Sequence, residues 1–264
     1  MKITPGPDET LDRLSATLQI LQRRKGHRAT SDDVILAALA TEAAPQARNI
    51  LDLGTGKATV AMMMARRLPH STLVGVEAEP VSAELGQRNT VLNDLGHRLS
   101  VVAGDVRDAE LLQSLRPPAG FDLITGAPPF MPLGTGVLPQ DRQRATGRFE
   151  LRGGVEAYAH AAAPLLAESG RLVILMDGLQ GERAIRAFAD EGLRVSRQID
   201  ISPRPGRPPT YSVVFGERGV SKGSVITQAP ITHSHWAMRN ADGDGWSARY
   251  GALRAVLELD PVAR

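Results

Sequence analysis

The stretch Asn49-Ile50-Leu51-Asp52-Leu53-Gly54-Thr55-Gly56-Lys57-Ala58 restricts the folds open to this chain more than any other. A short apolar run ends in an acid, then turns through two glycines into a segment with helical character. Such a strand–loop–helix corner has a loop nearly bare of side chains. A ligand can therefore lie against its backbone and face a helix N-terminus. Three ligands suit the corner as it stands: a nicotinamide dinucleotide, a nucleotide phosphate or S-adenosylmethionine.

The pattern after the corner repeats. Strands are expected at 50–53, 72–76, 99–103, 121–125, 171–177, 194–201 and 211–215, with helices at 59–68, 81–95, 109–115, 155–167 and 182–191. Strand–helix alternation of this kind predicts an α/β, Rossmann-like, doubly wound sheet of seven strands. The last two strands are joined by the loop Ser202-Pro203-Arg204-Pro205-Gly206-Arg207-Pro208-Pro209 rather than by a helix, so the last strand is expected to run antiparallel. Ahead of the corner, Leu11, Leu14, Leu18 and Leu21 at helical spacing predict a helix over 8–25, and Thr30-Ser31-Asp32-Asp33 reads as the N-cap of a second helix over 34–41. Behind the sheet, an edge strand over 231–239, a turn over 240–245 and a closing helix over 247–257 are expected. The organisation is thus a helical flank or lid (1–48), a ligand-binding domain (49–218) and a strand-turn-helix extension of the same domain (219–264).

Composition excludes little beyond this. The 264 residues are 42% hydrophobic and 23% charged, which is ordinary for a soluble chain, and the formal net charge is +2. There is no cysteine, hence no disulfide, thiolate ligand or thiol nucleophile, and the expectation is a cytoplasmic protein. No apolar run is long enough to span a bilayer, and the N-terminus lacks a signal-peptide core. His233 and His235 would share a strand face, but no third ligand is visible, so no metal is expected.

Successive strand ends select among the three ligands. A phosphate-binding loop needs Ser or Thr after its lysine, whereas Lys57 precedes Ala58. A dinucleotide fingerprint needs a third small residue where Thr59 stands. S-adenosylmethionine carries an ammonium and a sulfonium, which Asp52 suits. Glu77 ends the next strand and can accept from both ribose hydroxyls. Asp105 follows the third, where it can accept from the adenine amino group while Val106 presents its backbone. Ends of parallel strands converge on one crevice, so three acids around Gly54, Thr55 and Gly56 point to S-adenosylmethionine.

This series resembles the class I S-adenosylmethionine-dependent methyltransferases over residues 49–58, 77, 104–106 and 126–130. In amine-directed members, Asn or Asp, Pro-Pro and an aromatic residue follow the fourth strand. There, the amide and a carbonyl accept from a planar amine and the ring stacks on it. Here Gly126, itself a cofactor-binding candidate by this resemblance, is followed by Ala127, Pro128, Pro129 and Phe130, so three of the four match and Ala127 replaces the acceptor. The resemblance makes these four the catalytic candidates. The segment 21–32, the Pro-Arg-Pro-Gly-Arg-Pro-Pro loop and the tail are similar to the bacterial tRNA adenine methyltransferases that act beside the valine anticodon. That likeness implies N-methylation of an RNA base in tRNA, with Ala127 marking a sibling group. A small-molecule or protein substrate, or a non-catalytic cofactor-binding module, are the alternatives. Arg28, Arg204 and Arg207 are candidate phosphate contacts. In the long loop 131–154, which is expected to be a polar substrate lid, Phe149 is a stacking candidate, and Tyr158 on the helix after it is another. Glu150 and Arg152 are candidates to orient substrate, Glu150 also as a base.

Overall fold

The computed structural model describes residues 3–219 and 230–259. Its centre is an eight-stranded sheet. The strands that matter for the site are β3 (Asn49–Leu53), β4 (Thr72–Glu77), β5 (Leu99–Ala103), β6 (Phe121–Gly126) and β7 (Leu166–Asp177), with β8 (Leu193–Ser202), β9 (Tyr211–Arg218) and β10 (Thr232–Ala237) beyond them. Their order is β10-β8-β9-β7-β6-β3-β4-β5. All neighbours run parallel except at β9, which is antiparallel to both β7 and β8. The seven expected strands are thus present with the last reversed, and β10 adds an eighth by pairing parallel with β8.

Alternation along the strands explains the layering. On β7, Leu172, Ile174 and Met176 enter one core while Val173 and Leu175 enter the other. The second of these cores is covered by α1 (Ser31–Ala43), α2 (Thr59–Arg67) and α8 (Ala248–Val256). The first is covered by α4 (Ala109–Ser114), α6 (Val155–Ala162) and α7 (Gly181–Asp190). Two-residue periodicity with both faces apolar is what a sheet buried between helices requires. The helix α3 (Pro80–Leu92) flanks the β4–β5 side, and α5 (Arg142–Thr146) lies within the long loop.

The expected helix over 8–25 is absent. That segment is a hairpin, β1 (Glu9–Arg13) and β2 (Gln19–Arg23), with Leu11 opposite Leu21. The leucine spacing misled because the turn residues Ser15, Ala16 and Thr17 lie between Leu14 and Leu18. Ser15 Oγ accepts from the Thr17 and Leu18 amides, and so holds a turn that a helix could not contain. Tertiary contacts then fix β2. Asn89 on α3 accepts from the Leu21 amide at 2.7 Å and donates to its carbonyl at 3.1 Å; Asn93, one turn later, does the same for Gln19 at 2.8 Å each. Two asparagines at i and i+4 stand in for a third strand. The flank 1–48 is therefore a hairpin plus one helix, α1, which Thr30 and Asp33 cap reciprocally.

The tail matches expectation more closely. Ser247 caps α8, and Trp236, Trp246 and Tyr250 cluster between it and β10. Within the 219–264 extension, residues 220–229 and 260–264 lie outside the described residues.

Candidate active site

The sheet order reverses at β3. Chain connections run to β4 and β5 on one side and to β6 and β7 on the other, which opens a crevice at the carboxyl ends of β3 and β6. A cavity of about 330 Å³ fills it. Of the sequence candidates, Asp52, Gly54, Thr55, Gly56, Glu77, Asp105, Val106, Arg152 and the run Ala127, Pro128, Pro129, Phe130 all line this one cavity.

The corner after β3 has the conformation its glycines allow. Gly54 and Gly56 sit at φ +64° and +58°, in the left-handed region. A methyl on Gly54 would strike the Tyr158 hydroxyl, and one on Gly126 would meet the Tyr158 ring at 2.7 Å. A single ring, held on α6, thus requires glycine at the ends of both β3 and β6.

Each acid is held differently. Asp52 is 3% exposed and accepts from the hydroxyls of Thr55 and Thr125, both at 2.6 Å. Burial pushes its pKa up to about 6 against those two hydrogen bonds. Glu77 accepts from the amides of Gly56 at 2.8 Å and Glu79 at 2.6 Å, which tie the glycine loop to the end of β4. Its pKa is raised by burial and pulled back by those donors. Asp105 accepts from Arg107 at 2.8 and 2.9 Å and from Arg152 at 2.9 Å; the Arg107 bonds above all hold it well below the usual carboxylate range. Arg152 therefore braces the Asp105 carboxylate.

Other candidates lie elsewhere. Arg28 donates to Thr10 at 3.1 Å and Asp12 at 2.9 Å and thereby closes the hairpin. Phe149 is 2% exposed and packs beneath the lid. Glu150 is held by both terminal nitrogens of Arg183, at 2.6 and 3.0 Å, so it is not placed as a base. Arg204 and Arg207 are exposed and lie outside the cavity. The lid has a buried inner face that its polar sequence did not predict. Gln143, Ala145 and Phe149 are buried, Arg23 of the hairpin pairs with Asp141 at 2.7 Å, and the Gln143 amide donates to Ser82 at 3.0 Å. His235 contacts the Ser202 hydroxyl at 2.6 Å.

Sequence reasoning gave Asp32, Asp33 and Lys57 no part in the site, although all three line the cavity, as does Tyr158, which it offered only as a stacking platform. The acid pair was legible only as a helix cap.

The cavity fits S-adenosylmethionine on its own chemistry. The Gly54–Gly56 backbone offers a bare cradle, with carboxylates at the ends of β3 and β4 and after β5 for cationic, hydroxyl and amino groups. The run Ala127–Phe130 lines the same cavity, after β6.

Comparison with known proteins agrees. Residues 29–138 match the family model described as methyltransferase small domain. A tRNA1(Val) (adenine(37)-N6)-methyltransferase of Porphyromonas gingivalis is 34% identical over 150 residues, 56% of this chain; the chain spans only 58% of that relative's length. A protein of the same description from Yersinia pestis is 30% identical over 199 residues, which cover 75% of this chain and 74% of that one. A predicted O-methyltransferase from Agrobacterium tumefaciens superposes with a TM-score of 0.64 at 21% identity, over 87% of this chain and 98% of the other, and shows the same fold. With 30% identity to the Yersinia protein over three quarters of both chains, this chain belongs to the methyltransferase family of that relative.

Proposed function

We propose that this protein transfers a methyl group from S-adenosylmethionine to the amino nitrogen of an adenine in tRNA. One observation carries the reading: the cradle at Asp52–Gly56 and the run Ala127–Phe130 line a single cavity, so a donor and an acceptor can meet in it. The names of the Porphyromonas and Yersinia relatives support the choice of acceptor.

When bound, the cofactor supplies an electrophilic methyl group on a sulfonium. The chain's part is placement. Asp52, Glu77 and Asp105 orient the cofactor's ends, and the Ala127–Phe130 run presents the acceptor. Ala127 offers no side-chain acceptor, but the carbonyls of Ala127 and Pro128 accept no hydrogen bond among the described residues. They are available to accept from an amino group. Phe130 supplies the stacking face, and its carbonyl is fixed by the Gln180 amide at 2.9 Å. A neutral aromatic amine needs no strong base, consistent with the Arg183 clamp on Glu150. The effect is mainly proximity and orientation.

Five exposed arginines, Arg142, Arg144 and Arg148 on the lid and Arg204 and Arg207 on the β8–β9 loop, support a polyanionic substrate. The missing amide favours a second reading, transfer to a small molecule or a protein side chain. The deciding experiment is transfer of labelled methyl into a cell extract. Label in ribonuclease-sensitive material of tRNA size is expected, and label that survives ribonuclease would replace this reading with the second.

A further inference from the structure

Lys57 stands in the glycine corner, between Gly56 and Ala58, and no step of the methyl transfer uses it. It is 4% exposed and lines the cavity. Its backbone carbonyl is taken by Asn89 at 3.0 Å, which fixes the residue's place in the loop. Its ammonium closes no ion pair and donates no hydrogen bond among the described residues. Nearby carboxylates offset part of the cost of burying this ammonium, but none among the described residues is within ion-pair distance, so a ligand group in direct contact would offset more.

The surroundings indicate which ligand group that is. Lys57 shares the cavity lining with Asp33, Asp32 and Glu77, whose charges act on its ammonium, Asp33 the most. The other lining cations are otherwise placed: Arg152 is spent on Asp105, and Arg148 is exposed on the lid. Carboxylates are plentiful in the cavity, so the cationic parts of a cofactor have partners. A carboxylate on the cofactor has only Lys57 among buried cations of the described residues.

Resting on the S-adenosylmethionine reading, we propose that Lys57 is the counterion of the cofactor's methionine carboxylate. It would make the site selective for ligands that keep this group.

Two ligands that differ only in that group test it. Isothermal calorimetry on the full chain compares S-adenosylmethionine with decarboxylated S-adenosylmethionine, for the native protein and for Lys57→Met. The native protein should prefer the carboxylated ligand by about tenfold or more, the scale of one hydrogen bond between charged groups. Lys57→Met should weaken S-adenosylmethionine by that factor and leave the decarboxylated ligand within about twofold, so the preference collapses. The melting temperature without ligand verifies folding, and Lys57→Gln, a donor without charge, should fall between the two. A preference that survives in both folded variants overturns the proposal. So does equal weakening of both ligands, which marks a structural lysine. Native protein that binds S-adenosylmethionine without preference overturns this inference alone, whereas native protein that binds neither ligand overturns the cofactor reading with it.

Discussion

At the residue scale, the site stores instability for use. Asp52 holds its proton more tightly folded than unfolded, because burial raises its pKa to about 6 from 3.8. The folded state is thus favoured below about pH 4, and that advantage is lost as pH rises to about 6. Above this window the buried charge costs up to about 3 kcal/mol. Asp52→Asn should therefore melt higher than the native protein at pH 7.5, by roughly 1–3 kcal/mol of stability, while losing cofactor binding. Thermal melts at pH 4.5 and 7.5 check this; a lower melting point at pH 7.5 would refute it. Gly54→Ala combines a positive φ with a collision at the Tyr158 hydroxyl. It should cost at least about 2 kcal/mol and displace Tyr158, read by urea denaturation and tyrosine fluorescence. Asp52, Gly54 and Gly56 were legible in sequence because strand ends and positive φ demand particular residue types. The hold of Tyr158 on Gly54 and Gly126 was not, since a ring that dictates two glycines from a distant helix leaves no local pattern.

At the element scale, the hairpin shows where periodicity fails. Four leucines at helical spacing could not reveal that Asn89 and Asn93 on α3 would complete a strand edge 68 residues or more away. Asn89 is fully buried and serves the Leu21 amide, the Leu21 carbonyl and the Lys57 carbonyl. Asn89→Leu would leave all three without partners. A loss of about 3 kcal/mol is expected, with accelerated amide exchange at Leu21. A loss under about 1 kcal/mol would show that the hairpin is held by other interactions, such as Arg88 on Glu9. The strands of the sheet were legible by contrast, because apolar runs bounded by turn signals allow few alternatives. Their register and the addition of β10 to the sheet depend on pairing that only the fold sets.

At the whole-molecule scale, charge is arranged rather than abundant. The net charge is +2, yet the lid and the β8–β9 loop present exposed arginines outside the acid-lined cavity. Arg204→Ala with Arg207→Ala should weaken tRNA binding. The slope of log affinity against log salt should become shallower by about one for each phosphate that is no longer neutralised. An unchanged slope would place the nucleic acid elsewhere. No helix among the described residues is long and apolar enough to cross a membrane. The central claim is that donor cradle and amine acceptor share one cavity. Its most direct test is mass spectrometry of nucleosides from tRNA incubated with the purified protein and S-adenosylmethionine. The expected product is N6-methyladenosine, lost in Asp52→Ala and increased in Ala127→Asn. Methylation of another nucleoside, or none in the native protein while S-adenosylmethionine still binds, would contradict it.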